Sequence, residues 1–208
     1  MKPIVVSDVL AVGEVPSPEQ MEILAKAGFK SVINNQPDGE VERFPGSAAL
    51  AAEAKRQGLT YAFAPLTSRM PSEAELAEFA RALKSLPAPI YGFCYSGARS
   101  AAGCAYLLTE IMEPDAIIAQ FADSGFDIGG LKPWLMDERK RRAAPAAKAG
   151  NGAAANGAHG GVSAVQGAGK IAPAPAVSAP LAAVVSAPKA VEGIVVHARA
   201  MGNGGFAM

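Results

Sequence analysis

The sequence predicts an α/β fold, a mostly parallel sheet flanked by helices, followed by a disordered tail. Short apolar runs alternate with segments of helical periodicity as far as about Arg142, and such alternation implies parallel strands joined by crossover helices. Serine-led capping signatures mark where two of those helices begin. From Ala143 onward Ala, Gly, Pro, Val and Ser dominate, charges are few and Phe206 is the one aromatic residue. That composition offers too little large apolar surface to offset the entropy of ordering the chain. Residues 1–142 are therefore expected to form one domain, and 143–208 a disordered Ala/Gly/Pro-rich extension.

Ile4-Val5-Val6 and Leu10-Ala11-Val12 open the chain as two short strands. Ser17-Pro18-Glu19-Gln20 then places a helix N-cap at Ser17, with Pro18 at the first position and Gln20 closing a capping box. Met21, Leu24, Ala25 and Ala27 give this helix an apolar face and Gly28 ends it. Lys30–Asn34 is a strand, and the turn-rich segment to Glu40 lies at its carboxyl end. A helix follows from about Ser47 to Gln57, then a strand over Thr60–Pro65. Ser72-Glu73-Ala74-Glu75 opens a helix with Leu76, Phe79, Ala80 and Leu83 on one face. A strand over 89–93, a loop, a helix from about Ser100 to Ile111 and another beginning at Pro114 complete the domain. In such sheets ligands gather beyond the carboxyl ends of the strands, where loops 34–46, 65–71 and 94–99 converge.

Composition removes several function classes. The formal net charge is zero, which gives no global reason to expect nucleic acid or an acidic membrane as a partner. Both histidines, His159 and His197, lie in the tail, leaving the folded part without imidazole for acid–base work or a zinc-spaced cluster. No metal or cofactor is expected. No apolar run approaches the roughly 20 residues of a membrane span, no signal peptide is evident, and two cysteines make no disulfide framework. A cytoplasmic location is expected. Arg139-Lys140-Arg141-Arg142 reads as a solvated helix end, Trp134 as a packing anchor and Cys104 as a small core residue.

Phe93-Cys94-Tyr95-Ser96-Gly97-Ala98-Arg99-Ser100 links the strand at 89–93 to the following helix. A strand that feeds a helix through a loop starting at Cys and ending at Arg forms an anion cradle. Its amides and the helix N-terminus favour negative charge, and the guanidinium adds a bidentate oxyanion donor. Cys94 in that position is expected to act as a thiolate nucleophile. Tyr95, Ser96, Gly97 and Ala98 would bind a small anionic substrate, with Arg99 and Ser100 completing the machinery.

Asn34-Asn35-Gln36-Pro37-Asp38-Gly39-Glu40, Pro65-Leu66-Thr67, Cys94-x-x-Gly97-x-Arg99-Ser100 and Gly125-Phe126-Asp127 follow one another over roughly residues 3–135. Together they resemble the phosphatase-like domain of the β-lactamase-hydrolase-like protein family, a module that also occurs alone in bacteria and is sometimes described as a sulfur transferase. The resemblance implies a fold similar to dual-specificity protein phosphatases, with Cys94 as nucleophile and Arg99 and the loop amides binding the oxyanion. The chain departs from the family's common pattern at Gln36 and Tyr95, where arginine is usual, and at Phe93, where related phosphatases often carry histidine.

Two chemistries compete for the loop. Phosphate ester hydrolysis needs a thiolate, an arginine, a hydroxyl to stabilise the leaving thiolate and a general acid. Cys94, Arg99 and Ser100 supply the first three, and the 65–71 loop contains no carboxylate. Asp38 is the best candidate acid, ahead of Glu40 and Glu73, although Asp before Gly is first of all a turn former. Only Tyr95, Ser96, Gly97 and Ala98 stand between Cys94 and Arg99, a shorter loop than in protein tyrosine phosphatases. The smaller cradle resembles that of rhodanese-type sulfur transferases, which take sulfane sulfur from a donor and need no acid. Hydrolase stands slightly ahead of sulfur transferase, and a degenerate anion- or protein-binding module is the third reading.

Overall fold

A computed structural model describes residues 3–42 and 44–143; the expected tail lies outside the described residues. Five strands, β1 (Ile4–Ser7), β2 (Leu10–Glu14), β3 (Ser31–Asn34), β4 (Thr60–Phe63) and β5 (Ile90–Cys94), form one sheet in the order β1-β2-β5-β3-β4. β5 is parallel to both β2 and β3, and β3 is parallel to β4. Only β1 runs antiparallel, against β2. The turn at Asp8-Val9 is too short for the crossover that a parallel pair requires.

Helices α1 (Pro18–Lys26) and α2 (Ser47–Arg56) cover one face of the sheet. Their Met21, Leu24, Leu50 and Ala54 pack with Ala11, Val32, Tyr91 and Phe93. Helices α3 (Glu73–Ser85), α4 (Ala98–Leu108), α5 (Pro114–Asp123) and α6 (Lys132–Ala143) cover the other. There Leu76, Phe79, Leu83, Ile117, Phe121 and Leu135 pack with Leu10, Val12, Ile33 and Ile90. Alternation along each strand thus feeds two cores, and β3 and β5 are buried throughout because helices cover both their faces. Both predicted capping boxes form, at Ser17 with Gln20 and at Ser72 with Glu75.

Two boundaries depart from the expected ones in ways that bear on function. Helix α4 begins at Ala98, two residues before the expected Ser100, so Arg99 stands in its first turn. Every residue of α4 from Ser100 to Leu108 is buried. Its small Ala101, Ala102, Gly103, Cys104 and Ala105 allow neighbours to close in: a Cβ on Gly103 would stand 2.8 Å from Leu66. Burial pushes the Cys104 thiol well above its ordinary range, consistent with a core residue.

The basic cluster in α6 is not simply solvated. Arg139 Nη1 donates to the carbonyls of Thr109 at 3.0 Å and Met112 at 3.1 Å, which follow α4. Glu138, only 6% exposed, accepts from Arg142 Nε at 2.6 Å and from Arg141. The Arg139 bonds clamp α6 to the domain, while those of Glu138 lie within the helix. Trp134, expected to pack tightly, is 43% exposed.

Because Glu138 is buried while its arginines reach water, Glu138→Ala is expected to lower stability by about 1–2 kcal/mol. Urea unfolding of the full chain checks this, and Glu22→Ala, in an exposed pair with Lys26, should be nearly silent.

Candidate active site

Strand β5 is central, and its last residue, Cys94, pairs across to Glu14 of β2 while Phe93 pairs with Asn34 of β3. Cys94 is 1% exposed, at the carboxyl edge where ligands of open α/β sheets collect. The chain then reverses through Tyr95-Ser96-Gly97 into α4. Gly97 makes this possible: its φ is +81°, and a Cβ there would stand 2.9 Å from Gly13 Cα. Gly13 is constrained in turn, since its own Cβ would meet the Tyr91 hydroxyl at 2.3 Å. That hydroxyl donates to the Glu14 carbonyl at 3.0 Å.

The polar segment after β3 is organised residue by residue. Asn34 Oδ1 accepts from the Gln36 amide at 2.8 Å, and its Nδ2 donates to Tyr61 Oη at 3.0 Å. Asn35 Nδ2 donates to the Ala64 carbonyl at 2.7 Å, and Oδ1 accepts from Ser100 Oγ at 2.8 Å. The Leu66 amide donates to the Asn35 carbonyl at 3.0 Å. Gln36 Oε1 accepts from the Tyr95 amide at 2.7 Å and from Arg99 Nη2 at 2.8 Å, while its Nε2 donates to Glu40. Phe44 meets Tyr95 edge-on at 5.5 Å, closing the segment over the loop.

Arg99 is the hub. Its Nη1 donates to Glu40 Oε1 and to the Leu66 carbonyl, each at 3.0 Å. Its Nη2 donates to Glu40 Oε2 at 2.7 Å and to Gln36. Burial works against its charge, but the bonds to Glu40 and the Cys94 sulfur outweigh that and raise its pKa. Glu40, bonded to the guanidinium, is held below the ordinary carboxylate range.

The expected site residues are thus not all brought together. Cys94 ends β5, and Gln36 links the amide of the next residue, Tyr95, to Arg99. The Ser100 hydroxyl proton is given to Asn35, so Ser100 supports the neighbouring loop in this arrangement. Ser96 is exposed, Gly97 is buried and Ala98 half-buried, and among the described residues their amides have no acceptor, as expected at a helix start. Asp38 accepts from the Ser47 amide at 2.6 Å and from the Ser47 hydroxyl, and so caps α2. These partners belong to α2, and Glu40 is the carboxylate that reaches Arg99. Sequence reasoning gave Gln36 no positive role and missed Asn35, the Leu66 carbonyl and Gly13. The run of amide side chains after β3 was the available signal.

Glu75 positions the 65–71 segment. It accepts from the Thr67 amide at 2.8 Å and the Ser72 amide at 2.7 Å, steadying the turn that carries Leu66. Burial pushes its pKa up, but bonds from Ser72 and Thr67 outweigh that and hold it at about 2. Beside Ala98, a cavity of about 210 Å³ is lined by Arg69, Met70, Phe126, Ile128, Leu131 and Trp134 among others. Among the described residues no cluster of His, Cys, Asp and Glu is placed to hold a metal ion, and no helix is long and apolar enough to cross a membrane.

The family model of the phosphatase-like domain of beta-lactamase hydrolase-like protein matches residues 4–108, a span that holds the whole Cys94–Arg99 loop. The beta-lactamase hydrolase-like protein of Xylella fastidiosa is 33% identical over 139 residues, covering 65% of this chain and 32% of its own length. The chain therefore spans about a third of the length of the curated relatives it matches. Among solved structures, a protein of Neisseria meningitidis described as a candidate phosphatase is 23% identical with a TM-score of 0.61, covering 67% of this chain and 99% of its own. Kinase associated phosphatase, solved with its catalytic-site cysteine replaced by serine, is 20% identical with a TM-score of 0.55, covering 65% and 88%. These likenesses show a fold shared with dual-specificity-type phosphatases.

Gly97→Ala is expected to destabilise by about 2–4 kcal/mol, from the left-handed backbone and the overlap with Gly13; thermal unfolding reads the loss. The depressed Glu75 pKa means that its contribution is complete above its ordinary pKa of 4.5 and is lost as pH falls toward about 2. Urea midpoints measured across that range should fall less steeply in Glu75→Gln than in the wild type.

Proposed function

Because the chain belongs to the family of the phosphatase-like domain of beta-lactamase hydrolase-like protein, we propose that it is a cysteine-dependent phosphatase-like hydrolase acting on a small phosphate ester. The observation that carries the reading is the Gln36 oxygen, which accepts at once from the amide of Tyr95, next to Cys94, and from Nη2 of Arg99 in the first turn of α4. Family membership supplies the phosphatase-like fold; the nucleophile and its partners are inferred from the geometry.

In this reading the Cys94 thiolate attacks phosphorus, an S–P bond forms and the bond to the ester oxygen breaks. The leaving oxygen takes a proton from water, since Glu40 is held as a carboxylate by Arg99. Water then attacks the phosphocysteine, the S–P bond breaks toward sulfur, and inorganic phosphate departs with the thiolate restored. Arg99 and the amides of Ser96, Gly97 and Ala98 hold the equatorial oxygens, while the Tyr95 amide stays on Gln36 and fixes the start of the loop. Asn35 and Ser100 position the loop. The cavity beside Ala98 takes the organic part of the ester, with Arg69 at its edge.

Sulfur transfer is the second reading, favoured by the four-residue loop between Cys94 and Arg99 and by the absence of a carboxylate on loop 65–71. There the Cys94 thiolate attacks the outer sulfur of thiosulfate, the S–S bond breaks with its electron pair leaving on sulfite, and a persulfide remains for a thiol or cyanide to take.

A paired assay of the full chain separates the two. Release of para-nitrophenol from para-nitrophenyl phosphate should fall at least about 10³-fold in Cys94→Ser and about 10²-fold in Arg99→Ala. Thiocyanate formed from thiosulfate and cyanide, dependent on Cys94 and without phosphatase turnover, would replace hydrolysis by sulfur transfer. Activity in neither assay by a folded protein would leave an anion-binding module.

A further inference from the structure

We propose that Glu40 sets the charge of the anion this site accepts, as an internal carboxylate that an incoming oxyanion must replace on Arg99. The inference rests on the reading of the Cys94–Arg99 cradle as the substrate site and adds a selectivity to it.

The argument is a count of donors. A guanidinium has five N–H groups, four of them on its two Nη atoms. Those four are all engaged: Nη1 by Glu40 Oε1 and the Leu66 carbonyl, Nη2 by Glu40 Oε2 and Gln36 Oε1. An arriving anion finds no unused Nη hydrogen, and it reaches the Nη pair only by displacing an acceptor. The Leu66 carbonyl is backbone, held by its own amide's bond to Asn35 and by Glu75 on the next residue. Gln36 is 6% exposed and bonded at both ends of its amide, to Tyr95 and Arg99 through oxygen and to Glu40 through nitrogen. Glu40 is the outermost of the three, its side chain 40% exposed against 12% for Arg99. It occupies two Nη atoms in the fork geometry that an oxyanion would use. Its departure frees the pair.

Once displaced, Glu40 does not leave the neighbourhood, because Gln36 Nε2 still holds its carboxylate. An anion on Arg99 therefore sits beside a retained negative charge. Arg99 and the retained Glu40 already balance, so a monoanion leaves the site with one excess negative charge and a dianion with two, and the repulsion from Glu40 is correspondingly larger for the dianion. The site accordingly favours singly charged oxyanions, such as a phosphodiester or a protonated monoester, over dianions.

Sulfate and perchlorate test this directly, being tetrahedral ions of similar size that differ in charge. The full chain, labelled with nitrogen-15, is titrated with each at constant ionic strength, and the Tyr95 amide resonance reports binding. Glu40→Gln and Glu40→Ala are each expected to tighten both ions, which lose a competitor for Arg99, and to tighten sulfate by about tenfold more than perchlorate. Amide shifts remote from the loop verify that both variants are folded. The proposal is overturned if sulfate binding stays the same or weakens in both variants, if the two ions gain equally, or if neither ion shifts Tyr95 in any of the proteins. The readout does not depend on Cys94 reactivity. Charge-selective binding without Cys94-dependent turnover would remove the hydrolase reading alone, and turnover without charge selectivity would remove this one alone.

Discussion

The constraint on which the site depends is the backbone approach of Gly97 to Gly13. One step past Cys94, the chain must turn from the central strand into a helix that lies against the same sheet. The turn is tight enough for Gly97 to adopt a φ of +81° and approach the Gly13 backbone where a side chain would overlap it. Because the reversal is so short, α4 starts at Ala98 and Arg99 falls in its first turn. The sulfur, the helix start and the guanidinium are brought together by one pair of glycines, Gly13 on β2 and Gly97 at the N-cap of α4. The buried length of α4 then holds that arrangement against the core.

Around this turn the site is assembled from groups that satisfy one another before any ligand arrives. The segment after β3 contributes Asn34, Asn35 and Gln36, each with both ends of its amide bonded. The segment after β4 contributes the Leu66 carbonyl, kept in place by Asn35 and Glu75. Buried polar groups that are fully paired rigidify their surroundings, and the same groups unpaired would be costly. Gln36 is the informative member. As a departure from the family's usual arginine it reads as a lost cation; in the fold its oxygen takes the Tyr95 amide and Arg99 together, a bridge that a guanidinium has no acceptor to make.

What the sequence disclosed and what it hid divide along the range of the interactions. The capping boxes at Ser17 and Ser72 involve residues three apart and were legible, as were the alternation of elements and the Cys94–Arg99 loop, whose chemistry sits in eight consecutive residues. The choice between Asp38 and Glu40 was not legible. Both lie on the same loop, and only the folded backbone gives Asp38 to Ser47 and Glu40 to Arg99, 59 positions away. The α6 clamp was hidden for the same reason: a run of arginines looks solvated until the carbonyls of Thr109 and Met112 are brought to it. The early start of α4 escaped because a glycine N-cap at positive φ carries no side-chain signature.

The resting arrangement of Arg99 also bears on which electrophile suits Cys94. Phosphoryl transfer spreads charge over three equatorial oxygens and asks the cradle for donors around the whole group. Attack on a sulfane sulfur instead moves charge onto the departing sulfite and asks little of the donors around the transferred atom. A guanidinium whose four Nη hydrogens are given to Leu66, Gln36 and Glu40 already meets the second requirement, whereas the first draws on that Nη pair only when an acceptor is exchanged for substrate. Leu66 belongs to the backbone and Gln36 is buried, so that exchange falls to Glu40. The contest between the two chemistries thereby becomes a question about one carboxylate: whether a phosphoryl oxygen gains more from Arg99 than Glu40 loses by releasing it.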